Sequence, residues 1–371
     1  MPGEELLGST LGSYRVTACI GSGATGVVYR ATSADPSGSE SSREVALKVL
    51  HDNLGSISGL ERRFSREARV LAKLSHPNIV EVLDFGVDAG RTFIAMELLE
   101  GETLEEALAR GPIDPELALA YYDPLLAALA EAHEHEVVHR DLKPAKVFLT
   151  KAGPHGERGV KILDFGLAKM LSIDELSQEG TLTRKGRIVG TPAYMAPEQI
   201  TGVFIDVRAD VYALGVMLFE LLADRRPFLY ERRSELLRAH LLEPVPDITS
   251  MREGLWVHPA LEALLMKALA KDPAVRFPSG RAMREALLAL PPRCVRVERE
   301  ERKEERTRTG PTSAIISDSE RRALTESLST SSAPMTEAGS PPRGGVPTAA
   351  LVTLAVAMLG AAAGLWATLM L

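Results

Sequence analysis

HRDLKPAKVFL runs from His139 to Leu149, and DFG follows at Asp164–Gly166. Two carboxylates, Asp141 and Asp164, and two ammonium groups, Lys143 and Lys146, therefore stand in two neighbouring segments. Toward the N-terminus, IGSGATGVVYRA at Ile20–Ala31 carries Gly21, Gly23 and Gly26. Glycines at this spacing let a strand–turn–strand come close to a phosphate, with backbone N–H groups as donors. The same spacing would open a dinucleotide-binding unit, but that needs a helix after the turn and an acidic residue about 20 positions on. Here the strand-like run VVYRA follows the glycines. On this motif alone an ordinary glycine hairpin is an equal reading. VALK then ends at Lys48 on the next strand-like run, and Glu67, in FSREARVLAKL, has the setting of an acidic partner for it. A strand lysine with an apolar approach suits phosphate oxygens, and it needs a carboxylate to fix its position.

Taken together, these segments resemble the protein-kinase superfamily, and more closely the eukaryotic-like (Hanks-type) serine/threonine protein kinases of bacteria. The resemblance runs from about Tyr14 to Leu290, with nearly every signature in the expected order. It implies an α+β fold of two lobes, a small β-rich N-lobe and a large α-rich C-lobe. It also implies ATP and Mg²⁺ as cofactors and protein hydroxyls as substrates. Gly21, Gly23 and Gly26 would cover the ATP phosphates, with Val28 and Ala46 among the ATP-binding positions and Lys48 paired to Glu67. Met96 would stand at the back of the adenine pocket, with Glu97 and Leu99 giving backbone contacts. Asp141 would accept or orient the substrate hydroxyl, Lys143 would stabilise charge on the transferring phosphoryl group, and Asp164 would hold Mg²⁺. GTPAYMAPEQ at Gly190–Gln199 looks like the substrate platform of a Ser/Thr kinase, with Thr191 near the catalytic aspartate. Within the activation segment, Asp164–Glu198, Thr181 and Thr183 are the candidate phosphosites, and Arg140 would be the cationic partner of a phosphate there. Asp210 and Arg276 read as scaffold positions, Arg276 pairing with Glu198.

One position departs from the family. The catalytic loop usually reads HRDLKPxN, with the asparagine on a second Mg²⁺, whereas this chain has Lys146. Lysine offers donors and no acceptor, so it cannot ligate a metal. That implies weaker metal binding, or one Mg²⁺ instead of two, or Mn²⁺ in its place; the alternative is that the ammonium stands in electrostatically for the missing ion, and the sequence does not choose between these. The expectation is an active Ser/Thr kinase that phosphorylates its own activation segment. The alternative is a pseudokinase, a nucleotide-binding scaffold that signals by conformation.

Composition narrows the remaining choices. The chain has 371 residues, 45% hydrophobic and 25% charged, which suits a globular protein. A net charge of −7 disfavours nucleic acid as a partner. The two cysteines, Cys19 and Cys294, give neither a disulfide framework nor a metal-ligand spacing. Strand-like runs are read at YRVTACI, VVYRA, EVALKVL and TFIAMEL, and helical spacing at residues 60–74, 115–133 and 211–222.

Beyond the kinase-like region, residues 14–290, Pro291-Pro292 opens a linker over 291–347. It begins with the charge run VEREERKEERTR at 297–308 and turns Ser/Thr/Pro-rich. Residues 349–371, ALVTLAVAMLGAAAGLWATLML after a first alanine, lack any charge. At about 1.5 Å per residue such a helix covers a hydrocarbon core of roughly 30 Å, so a single transmembrane helix is expected. Gly360 and Gly364 form a GxxxG step that would pair two such helices as a homodimer. The N-terminus lacks the apolar run of a secretory signal. The expected arrangement is a single-pass membrane protein with its kinase domain in the cytoplasm, where ATP is, and no external sensor domain after the helix.

Overall fold

The computed structural model describes residues 4–23, 25–33, 43–51, 74–151, 158–165 and 192–297. The chain divides into two units, Met1–Glu301 and Arg302–Leu371. The second unit, with most of the expected linker and the expected transmembrane helix at 349–371, lies outside the described residues. Among the described residues no helix is long and apolar enough to cross a membrane.

The N-terminal part is a six-stranded antiparallel sheet. Its strands are β1 (Thr10–Leu11), β2 (Tyr14–Gly23), β3 (Gly26–Ser33), β4 (Glu44–Leu50), β5 (Val82–Asp88) and β6 (Arg91–Glu97), in the order β1-β2-β3-β4-β6-β5. Side chains alternate across a strand, and here the two faces feed two cores. Val45, Leu47 and Val49 of β4 join Phe93 and Ala95 of β6 in a cluster with Tyr14, Val16, Val27 and Tyr29. Ala46, Leu50, Ile94 and Met96, from the opposite face, join the large core of the C-terminal part. Lys48 falls on that second face by the same alternation, so it is turned toward the junction of the lobes.

The C-terminal part is mostly helical. A short strand β7 (Gly101–Thr103) leads into α1 (Leu104–Ala109), capped by Thr103 and Glu106. α2 (Pro115–Glu134) starts on the Asp114 side chain, which accepts from the Glu116 and Leu117 N–H groups, with Pro115 in the first turn. Strands β8 (Val147–Thr150) and β9 (Val160–Ile162) complete a three-stranded sheet with β7. α3 (Pro197–Thr201) precedes α4 (Arg208–Ala223), a helix apolar around nearly its whole circumference and correspondingly buried. α5 (Arg233–Leu242), strand β10 (Leu255–Val257), α6 (Pro259–Ala268), α7 (Gly280–Leu288) and strand β11 (Val295–Val297) follow.

Several sequence readings differ in extent. The linker expected from residue 291 begins later, because Val295–Val297 pairs with β10 and buries Cys294 and Val295. A three-residue strand beside a charge run is too short to register in composition. Of the helix expected over 60–74, only Leu74 is described; it is buried in non-helical backbone. Strand β5 carries Asp84, Gly86 and Asp88 among its apolar residues, which hid it from the alternation test.

Arg276 ties this scaffold together. Its Nη1 and Nη2 reach the two carboxylate oxygens of Glu198 at 2.7 and 2.9 Å. Nε donates to the Ala270 carbonyl at 2.7 Å, and the remaining N–H groups reach the Arg208 and Lys271 carbonyls, both at 3.0 Å. All five guanidinium donors are therefore used, and the group also lies over the Tyr212 ring at 4.8 Å. With the Arg276 side chain 0% exposed and Glu198 at 6%, removing one partner strands a buried charge. Arg276→Ala is expected to lower unfolding free energy by about 3–5 kcal/mol, and Arg276→Lys to recover little of it, in urea titrations.

Candidate active site

Asp210, on α4, organises the catalytic loop from beneath. Its Oδ1 accepts the Arg140 N–H at 2.9 Å, and its Oδ2 accepts the His139 N–H at 2.8 Å and the His133 ring at 3.1 Å. The Gly280 N–H donates to His133 Nδ1 at 3.1 Å, which leaves the proton on Nε2 facing Asp210. Burial would raise the Asp210 carboxyl, but these donors outweigh it and hold its pKa below the usual range. His139 is fixed in the same way. The Asp141 N–H donates to its Nδ1 at 3.3 Å, so Nε2 donates to the Leu163 carbonyl at 2.9 Å. Burial keeps its pKa low and the ring neutral. Phe165 stacks edge-on against His139 with ring centroids 5.0 Å apart. Arg140 adopts φ 65° and Asp164 φ 56°, left-handed backbone that costs energy for these residues and is held here by the surrounding bonds.

Above this frame the charged groups converge. Lys143 Nζ lies 3.2 and 3.0 Å from the Asp141 oxygens. Lys48 Nζ, from β4, lies 2.7 Å from Asp164 Oδ2, and Lys146 Nζ lies 2.5 Å from the same oxygen. Burial alone would raise the Asp164 carboxyl, but the two ammoniums beside it hold it well below the usual carboxylate range. Burial also pushes the Lys48 ammonium down, against the pull of Asp164. The backbone explains why Lys146 points there: its N–H donates to the Lys143 carbonyl and its carbonyl accepts from the Leu163 N–H, both at 2.8 Å.

The glycines separate into two kinds. A Cβ on Gly26 would stand 2.1 Å from the Val49 carbonyl oxygen, so the close pairing of β3 with β4 requires glycine there. A Cβ on Gly21 or Gly23 would meet nothing within 4 Å, so those two border open space. Val28 pairs in register with Lys48, and Ala46 with Met96, which is buried at the sheet end. Leu99 packs against the large core. Glu97, which follows Met96, takes Lys161 Nζ at 2.5 Å and the Glu81 N–H at 2.9 Å. That Lys161 link between β9 and the end of β6 was not read from the sequence, nor was Gln199, whose amide donates to the Arg140 carbonyl at 2.7 Å. Neither residue lies in a spacing that signals a long-range contact. Glu67, Thr181, Thr183 and Thr191 lie outside the described residues.

The protein kinase domain model matches residues 14–288. The chain is 38% identical over 290 residues to the serine/threonine-protein kinase pkn3 of Myxococcus xanthus, covering 77% of this chain and 52% of that protein. It is 39% identical to Pkn1 of the same organism, covering 76% and 39%, and 35% identical to PrkC of Bacillus subtilis, covering 73% and 39%. The chain thus spans about half the length, or less, of these curated relatives. The crystal structure of the Mycobacterium tuberculosis PknI kinase domain is similar at a TM-score of 0.57 and 31% identity, over 76% of this chain and 97% of that one.

Because the folded pKa of Asp210 is depressed, its contribution is present above the unfolded value near 4 and fades as pH falls through the folded value. Asp210→Asn is expected to cost roughly 2–4 kcal/mol at pH 7, since buried donors lose a charged acceptor. The gap between variant and wild type should narrow toward pH 3, as read by urea unfolding across that range.

Proposed function

This chain belongs to the protein kinase family, and we propose that it is a membrane-anchored serine/threonine protein kinase that transfers the ATP γ-phosphate to protein hydroxyls. The observation that carries this reading is the cluster of Lys48, Lys146 and Asp164 beside the Asp141–Lys143 pair. Phosphoryl transfer needs in-line positioning and neutralisation of spread negative charge more than covalent help. Lys48 would hold the phosphates from the sheet side, beneath the turn bordered by Gly21 and Gly23. Asp141, oriented by Lys143 and by the loop pinned to Asp210, would take the hydroxyl proton from the substrate. Lys143 would then face the charge that develops on the transferring group.

Divalent metal is the family's usual companion to ATP, and Asp164 is the residue that would hold it. Of that carboxylate, Oδ2 is engaged by two ammoniums, which leaves Oδ1 for an ion shared with the nucleotide. The donor set fits one Mg²⁺ or Mn²⁺ and does not fit a pair, because Lys146 supplies no oxygen. Bound there, the ion would neutralise phosphate charge. The same substitution favours the second reading, a nucleotide-binding scaffold without transfer.

Purified chain incubated with labelled ATP, Mg²⁺ or Mn²⁺ and a general acceptor protein separates the two. Transfer onto Ser or Thr is expected, falling by roughly 10²–10⁴-fold in Asp141→Asn. Mass spectrometry of the same reaction should find phosphate on Thr181 or Thr183, where Arg140 would pair with it. ATP binding without transfer in the wild type would select the scaffold.

Membrane attachment rests on the uncharged run at 349–371 and on its length. With it come a kinase domain on the cytoplasmic side and pairing of two copies through Gly360 and Gly364. Cell fractionation should find the full chain in the membrane pellet, released by detergent and not by high salt or carbonate; recovery in the soluble fraction without detergent would sink the anchor.

A further inference from the structure

Lys146 is the position where the loop departs from its family, and its surroundings give that departure a consequence. The side chain leaves a 3₁₀ turn, Pro144–Lys146, whose backbone is bonded to Lys143 and Leu163. Its ammonium sits on Asp164 Oδ2 at 2.5 Å, and Lys48 reaches the same oxygen at 2.7 Å. Two positive groups on one carboxylate over-compensate it. Lys143 and Asp141 cancel each other at 3.0 Å. Among the described residues these five groups sum to one positive charge; Glu67, read above as the partner of Lys48, lies outside them. With asparagine at position 146 the cluster would carry one positive charge fewer, and phosphates would meet less compensation of the Asp164 carboxylate unless an ion stood between them.

Exposure points the same way. Lys48 keeps 5% of its side-chain surface exposed, whereas Lys146 keeps 19%. Of its three N–H donors, one is committed to Asp164 among the described residues. An ammonium is a compact point charge that meets phosphate oxygens without a required geometry.

We propose that Lys146 is a resident cation for the phosphates of a bound nucleoside triphosphate, so that this site binds ATP without a divalent ion nearly as well as with one. The inference rests on the ATP-site reading above and adds to it a binding residue that takes over the charge-neutralising role of a divalent ion. The ammonium bridges the Asp164 carboxylate and the phosphate oxygens, as an ion would, but it is covalently part of the catalytic loop.

Binding of ATP to the full-length chain, measured by calorimetry in EDTA and again in Mg²⁺, tests this. Wild type should bind in EDTA within about threefold of its affinity in Mg²⁺. Lys146→Asn should weaken metal-free binding by roughly ten- to a hundred-fold, the worth of one charge-assisted bond, with Mg²⁺ restoring most of it. Lys146→Arg keeps the charge and should keep metal-free binding. Thermal unfolding of each variant confirms that it is folded. If wild-type binding collapses in EDTA as that of Lys146→Asn does, or if Lys146→Asn binds more tightly in EDTA, Lys146 is not a resident cation, while the ATP-site reading stands. If no variant binds ATP in either condition, both fall.

Discussion

The buried carboxylate of Asp210 is the constraint on which the rest of the site depends. A charged group at 1% exposure survives only if its lone pairs are met, and here they are met by two catalytic-loop N–H groups and a histidine. The bonds run in one direction of dependence. α4 is fixed because it is apolar on nearly all sides and lies inside the large core. Asp210 is fixed because it is in its first turn. The backbone at His139 and Arg140 is fixed because both N–H groups donate to Asp210. The left-handed conformation of Arg140 is held by the same bond.

The second lobe meets this frame through strand alternation. β4 sends Val45, Leu47 and Val49 into the sheet's own core and turns Ala46 and Lys48 the other way. No loop rearrangement is needed for Lys48 to face Asp164; the two-residue period places it. The pair at 2.7 Å spans 116 positions of sequence, so it couples the sheet to the DFG segment directly. Since both partners are largely buried, the bond is screened little by solvent, and Lys146 shares the same oxygen, its like charge opposing the Lys48 ammonium.

Much of this was legible because the chemistry is concentrated in short, ordered segments. EVALKVL was read as a strand over the same seven residues that form β4, and the apolar helix expected at 115–133 appears as Pro115–Glu134. Asp141, Lys143 and Asp164 stand out through the kinase resemblance, and the fold sets Lys143 on Asp141 and both Lys48 and Lys146 on Asp164. What stayed hidden has a common cause. Lys161 on Glu97, Gln199 on the Arg140 carbonyl and Gly280 on His133 are contacts between polar groups distant in sequence. Their existence depends on where backbones pass, not on any local periodicity. The strand Val295–Val297 was hidden for the opposite reason: its partner Leu255–Val257 is equally short, and neither has a pattern until the other is beside it.

The lysine at 146 also bears on rate, and in a direction opposite to its effect on binding. An ion that travels with the nucleotide can adjust its coordination as charge moves onto the leaving oxygen. An ammonium on a loop residue whose backbone is bonded to Lys143 and Leu163, and already bonded to Asp164, would hold the phosphates much the same before and during transfer. Interactions equal in ground and transition states favour occupancy without lowering the barrier between them. A site built this way gains affinity at low ATP and gives up part of the electrostatic change that accelerates transfer. The product nucleotide, still polyanionic, keeps its contact with the same ammonium and leaves more slowly. Occupancy favoured over turnover is the behaviour expected of a kinase whose bound state matters as much as its catalytic cycle.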